Sequence, residues 1–192
     1  MYFHLYSLSY CYSKSVYLHC INSNGGKTFV FGFYLYKFYT GMVYKCKQVD
    51  SEDNYFQSLV NALDAELAIY NGEKDEFYTQ FNSIQYIKNA MVVLNENDLP
   101  LACGAFIKYA DDTVEIKRMY VHPDHRRHGL ASMVLTQLER WAKDLGFEYA
   151  ILETGEFLPG TVGFYQKCGY SIIPNYDQYV GIEGSICFKK TL

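Results

Sequence analysis

Leu130, Val134, Leu138, Trp141 and Leu145 recur at spacings of four, four, three and four, and Gly146 follows the last of them. This is one continuous apolar stripe along a helix of about four turns, closed by a glycine. Short apolar runs flank the stripe, residues 114–121 before it and 149–153 after it, each of strand length. A strand, an amphipathic helix and a second strand in that order need a sheet for the stripe to cover. The polar junction between the first run and the helix reads Val121-His122-Pro123-Asp124-His125-Arg126-Arg127-His128-Gly129-Leu130-Ala131.

The rest of the chain from Met42 onward extends the same pattern. Residues 43–49 alternate as a first strand. Asp50, Ser51 and Asp53 offer N-caps to a helix carrying Phe56, Leu59, Val60, Leu63, Leu67 and Tyr70, which Asn71-Gly72 ends. A shorter helix is expected over 74–84. Residues 90–94 and 101–109, joined by the polar turn 95–100, predict a β-hairpin. Pro159 stands where a first-turn proline belongs, ahead of a helix to about Cys168 that Gly169 ends. Residues 170–173 and 185–189 read as the last two strands. The fold class is therefore α/β in the broad sense, an α+β arrangement with a central sheet.

Composition divides the chain after its first fifth. Aromatics make up 18% of the 192 residues, and 13 of them fall within the first 41, where there are three lysines and no acid. The remaining 151 residues carry 14 basic and 21 acidic side chains, a net of −7. Residues 29–39 could pair as a β-strand. The favoured expectation is that 1–41 is an aromatic-rich extension outside the domain, such as translation from an upstream start would add, and that 42–192 is the domain. Lys37 within the apolar run argues against a secretion signal. A net charge of −4 over the whole chain disfavours a nucleic-acid-binding field, and no apolar stretch is long enough to span a membrane. Cys11, Cys20, Cys46, Cys103, Cys168 and Cys187 are scattered, as free thiols in a reducing, cytoplasmic setting would be.

The junction 121–131 carries the chemistry. A turn between a strand and a helix leaves backbone N–H groups unpaired at the helix N-terminus, and with the helix dipole they form an anion site. Gly129 lets a phosphate approach the backbone, and Ala131 is too small to close the site. Arg126-x-x-Gly129-x-Ala131, preceded by Val121-x-Pro123, closely resembles the acyl-CoA pyrophosphate loop of the GNAT N-acetyltransferase superfamily. Phe164-Tyr165-x-x-x-Gly169-Tyr170 resembles the helix-to-strand segment that follows in those enzymes, and the order of elements from Met42 agrees.

The resemblance implies a mixed, mostly antiparallel sheet flanked by helices. Its fourth and fifth strands, counted from Met42, would splay apart near Val121 and Glu153 to admit acetyl-CoA as co-substrate. Backbone groups of Met119 and Val121 would bond the pantetheine arm, and the amides of Arg126, Arg127, His128, Gly129, Leu130 and Ala131 the pyrophosphate. A primary amine would attack the thioester directly, in a ternary complex. By the same resemblance Tyr165 stands where many members carry the tyrosine that protonates the departing thiolate, although a core aromatic is the plainer reading. Glu115 stands where protein-lysine acetyltransferases place a general base; pairing with Lys117 is the plainer reading, and Glu153 is the alternative base. Many members have an asparagine seven residues before the tyrosine; here it is Leu158.

His122, His125 and His128 are spaced as H-x-x-H-x-x-H, but Pro123 interrupts them and no acid or cysteine completes a ligand set, so no metal is expected. The expected partners are a small-molecule or peptide amine, with no nucleic acid and no membrane, and a homodimer as the assembly. Two rival readings are a GNAT-like module that binds acyl-CoA without turning it over, and an interaction domain with no cofactor.

Overall fold

The computed structural model describes residues 13–14, 33–37, 43–72, 80, 82–158 and 160–192. Among them nine strands form one sheet: β1 (Ser13–Lys14), β2 (Phe33–Lys37), β3 (Val43–Val49), β4 (Asn89–Leu94), β5 (Pro100–Lys108), β6 (Thr113–Val121), β7 (Tyr149–Gly155), β8 (Ser171–Ile173) and β9 (Ser185–Thr191). Three α-helices accompany them: α1 (Asn54–Asn71), α2 (Leu130–Asp144) and α3 (Thr161–Lys167). The spatial order is β1-β2-β3-β4-β5-β6-β7-β9-β8, with β9 inserted between β7 and β8. Every neighbouring pair is antiparallel except β6 and β7, which are parallel. This is the mixed, mostly antiparallel sheet expected.

Helices cover both faces of the sheet, and the strands record it. On β4, Met91 and Val93 join the core beneath α2, while Ala90, Val92 and Leu94 join the core beneath α1. A strand covered on both sides reads as a continuous apolar run, which is why 90–94 shows no alternation. Helix α1 is capped by Asp53, whose side chain accepts from the N–H groups of Tyr55 and Phe56. It buries Phe56, Leu59, Val60 and Leu63, each worth about 1.5–3 kcal/mol when fully removed from water. Helix α2 buries Leu130, Val134 and Leu138 as its stripe requires, with Trp141 edge-on to Phe106 at 5.4 Å. Leu145 departs from the stripe: it is the C-cap residue, 55% exposed, because the helix ends one residue too early to bury it.

The parallel pairing of β6 with β7 runs from Thr113–Tyr149 to Glu115–Ile151 and stops there, although both strands continue. Opposite the gap, β6 is bulged. Cys103 of β5 faces Tyr120 and Ala105 faces Lys117, so Gly104 faces both Arg118 and Met119. Arg118 takes the left-handed backbone, φ 58°, which costs a non-glycine residue about 1–2 kcal/mol. A side chain at Gly104 would strike the Met119 sulfur and approach Val134 Cγ1 to 2.8 Å, so only glycine lets α2 pack over the bulge.

The shorter helix expected over 74–84 lies largely outside the described residues, as does Pro159; α3 itself begins at Thr161. Phe33–Lys37 pairs with Val43–Lys47 along the edge of β3, so the sheet crosses residue 42, and the strand reading of 29–39 holds for those five residues. β3 is also paired on its other side, with β4, and that contact does not depend on the edge. A chain beginning at Met42 is therefore expected to unfold in one cooperative transition, with a melting temperature within a few degrees of the full chain. Calorimetry on both checks this; loss of the transition would make β2 an integral strand of the domain.

Candidate active site

The gap between β6 and β7 opens into two adjoining clefts. The larger, about 490 Å³, lies within the range of small-molecule sites and runs along the α2 N-terminus. Met119, Val121, Arg126, Arg127, Gly129, Leu130 and Ala131 line it, whereas His128, grouped with them from the sequence, is not among its lining residues. The smaller, about 180 Å³, is lined by Glu115, Lys117, Arg118, Glu153 and Tyr179 among others. Leu158, Met119 and Tyr165 line both, so they stand at the junction.

Backbone geometry explains what each wall offers. His122 N–H donates to Leu101 C=O at 2.9 Å, so the polar groups of His122 and Tyr120 turn toward β5. Those of Val121 and Met119 then turn the other way, into the gap where β7 no longer pairs. The loop before α2 holds Arg127 at φ 64° and Gly129, the N-cap, at φ 79°. No side chain caps the helix, so the first N–H groups of α2 are left for a ligand. Left-handed residues in such a turn gather successive amides into an anion-binding nest.

The Arg126 side chain is committed elsewhere. Its Nε donates to Val121 C=O at 2.9 Å, and its Nη2 donates to both Glu66 carboxylate oxygens, at 2.8 and 2.6 Å. It thereby clamps the loop to β6 and to α1, and the loop presents its backbone, together with Arg127, to the cleft.

Tyr165 is held on α3 at the junction of the clefts. Its ring packs against Phe164, Tyr170 and Phe188 at centroid distances of 5.1, 5.7 and 5.8 Å. Burial, with Cys168 and Glu153 adding to it, pushes its phenol well above the ordinary value of 10.0. The core reading of this ring and its place in the clefts both hold.

Two carboxylates face the smaller cleft. Glu115 accepts from Lys117 Nζ at 3.2 Å and from the Tyr176 hydroxyl at 3.1 Å. Glu153 accepts from Ser185 Oγ at 2.7 Å; burial raises its pKa above the ordinary carboxylate value, with Ser185 and Lys117 opposing and Glu115 adding. Leu158, at the position where the resemblance implies asparagine, presents only an apolar side chain to both clefts. Among the described residues no group of three His, Cys, Asp or Glu side chains is placed to hold a metal ion; His122 and His125 meet as tilted rings 5.9 Å apart, and His122 Nδ1 lies 3.7 Å from the Asp124 carboxylate.

Sequence reasoning missed the contribution of α1. Glu66, Leu67 and Tyr70 line the larger cleft from a helix about 50 residues upstream of the loop, a juxtaposition that local pattern does not carry. It also missed Ser132, whose place in the first turn of α2 was the available signal.

Comparison with known proteins agrees with this geometry. Residues 56–170 match the model of the acetyltransferase (GNAT) family. A Xenopus tropicalis protein named "Probable N-acetyltransferase 14" is 32% identical over 93 residues, 48% of this chain and 45% of that one. The amino-acid acetyltransferase of Pasteurella multocida is 28% identical over 85 residues, 44% of this chain and 18% of that one. The chain thus spans less than half the length of these curated relatives. Among solved structures, an acetyltransferase of Streptococcus agalactiae superposes with a TM-score of 0.60 at 20% identity, over 78% of this chain and 98% of the other, a likeness of fold. With a family match across more than half its length and a sheet that splays where the loop meets α2, the chain belongs to the GNAT family of acetyltransferases, and the matched region is a GNAT-type N-acetyltransferase domain.

Proposed function

We propose that this chain transfers an acetyl group from acetyl-CoA to a primary amine by direct attack in a ternary complex. The observation that carries the proposal is the continuity of the two clefts at Tyr165, one suited to a nucleotide-bearing arm and the other to an amine. Acetyl-CoA supplies the activated acyl group as a thioester. The residues fit it: an uncapped helix N-terminus and a nest for the pyrophosphate at Arg126 to Ala131, and the backbone of Met119 with the N–H of Val121, whose C=O is taken by Arg126, for the pantetheine amides.

Two proton transfers remain for the side chains. A primary amine is mostly ammonium at pH 7 and must lose a proton before it can attack. Glu153 is the better placed base. Its partner is a neutral hydroxyl and its pKa is raised, whereas Glu115 is already engaged by both Lys117 and the Tyr176 hydroxyl. As the C–N bond forms and the C–S bond breaks, Tyr165 gives its hydroxyl proton to the departing sulfur. The ammonium proton passes through Glu153 to solvent; the second proton, which the nitrogen loses as the amide forms, makes up for the one Tyr165 gives to sulfur, so one proton is released per turnover. Protein groups carry every step, and the partners are the amine acceptor and a second copy of the chain in a homodimer. The described cysteines, Cys46, Cys103, Cys168 and Cys187, are free thiols, which supports a reducing cytoplasmic setting. Among the described residues no helix is long and apolar enough to cross a membrane.

A chain that only bound acyl-CoA would use the same larger cleft, so turnover is the discriminating readout. Free thiol is expected to appear when acetyl-CoA is mixed with a broad amine panel; tight binding with no release by any amine would favour the binding module. Gly129→Asp is expected to fold and to lose acetyl-CoA binding at least a hundredfold by calorimetric titration. Asp tolerates the left-handed backbone better than most residues, and its carboxylate would stand against the pyrophosphate.

Tyr165→Phe is expected to lower kcat at least tenfold, within the ~10²–10⁴-fold range of general acid catalysis, with acetyl-CoA affinity nearly unchanged. The sign of the pH effect follows from the raised phenol pKa. The donor stays protonated beyond the ordinary tyrosine range, so the wild-type rate should rise with pH as the amine deprotonates and hold to about pH 10. A Phe variant with wild-type turnover would return Tyr165 to the core aromatics.

A further inference from the structure

The bulge in β6 places an unusual pair of charges. Before it, Val114 and Ile116 join the core beneath α2, and Glu115 and Lys117 face the other side. Regular alternation would send Arg118 beneath α2 as well. The left-handed backbone at Arg118 shifts the register instead, so Met119 packs beneath α2 while Arg118 follows Lys117 onto the α1 side. Two consecutive cations thus share one face, and both line the smaller cleft with Glu115 and Glu153.

Arg118 is 6% exposed, and its Nη2 bonds to Asp64 of α1. Its Nε–H has no partner among the described residues. An unpaired buried N–H is unfavourable, and native proteins almost always satisfy it. A guanidinium serving only to tie α1 to β6 would be served by Asp64 alone, and would need neither a strained backbone nor a buried, unpaired donor on a residue that lines a cleft. The missing partner is an acceptor oxygen, and guanidinium matches carboxylate in shape and charge.

We propose that the acceptor is a free amino acid, whose carboxylate is taken by Arg118 and whose amine faces Glu153. The smallness of the cleft brings the two demands together. At about 180 Å³ it lies below the usual range of small-molecule sites, so the groups meeting Arg118 and Glu153 belong close together on one compact molecule. The proposal rests on the acetyl-transfer reading and specifies its acceptor.

The test compares free L-amino acids, their carboxamides and a lysine-containing peptide as acceptors for acetyl-CoA, read as thiol release. For at least one amino acid, kcat/KM is expected to exceed that of its amide tenfold or more. The amide's amine is the less basic, so a preference for the acid cannot come from amine ionisation. Arg118→Gln is expected to lower kcat/KM at least tenfold for the amino acid and less than twofold for the amide, removing the preference. Equal or better use of amides or of the peptide lysine by the wild type overturns the proposal, as does a variant that loses both activities alike. If Arg118→Gln does not fold, the wild-type comparison still decides, and Arg118→Lys, which keeps the charge but loses the fork, should show a reduced preference. Thiol release with amines that lack a carboxylate, and none with amino acids, refutes the amino-acid acceptor alone; no release with any amine refutes acetyl transfer and the acceptor assignment together.

Discussion

The parallel pairing of β6 and β7 ends after Glu115 and Ile151, and the rest of the site depends on that ending. Two strands that diverge leave backbone N–H and C=O groups unpaired in the interior of the sheet, where they must find other partners. Here the vacancy is framed by α2 and its loop at one end and by α3 at the other. A pantheteine-like chain of amides is what such an edge can bond, much as an added strand would. The separation of β6 from β7 thus makes an arm-shaped site from a sheet without any dedicated binding element.

The bulge at Arg118 and Met119 serves both sides of the same strand. Toward α2 it places Met119 over Gly104, where no larger residue would fit beneath the helix. Toward α1 it places a buried guanidinium against Asp64, on the wall of a cleft that Glu115 and Glu153 also line. The strain at Arg118 is offset by the Asp64 pair and by close packing around the bulge, so the conformation is held by its surroundings. Arg126 plays a complementary part. By bonding Val121 and Glu66 it fixes the path of the loop, so the proposed anion site is left chiefly to the main chain.

Much of this was legible in the sequence because it is local. Apolar runs located strands β3 to β7 to within about two residues, and the stripe on α2 followed from helical spacing alone. The loop motif was legible because the Arg–Gly–Ala spacing reflects one short turn. The bulge was not, since Arg118 and Met119 carry no signal for a left-handed backbone; Gly104, 14 residues earlier, is its only trace. Nor was the α1 wall of the clefts, which depends on tertiary packing between Glu66 and a loop 60 residues later. Leu145 read as core because spacing does not register where a helix stops. Phe33–Lys37 was legible as a strand by composition, but its pairing with β3 was not, since an edge strand has few local determinants.

The central claim is that the gap between β6 and β7 and the loop at the α2 N-terminus together bind acyl-CoA. Amide chemical-shift mapping during titration with acetyl-CoA tests it most directly. Large shifts are expected, confined to Met119, Val121, the loop 126–129, the first turn of α2 and the neighbouring face of α3, with β4 and the β8–β9 pair nearly unmoved. Saturable binding whose shifts fell elsewhere, leaving Met119, Val121 and Gly129 unperturbed, would contradict it.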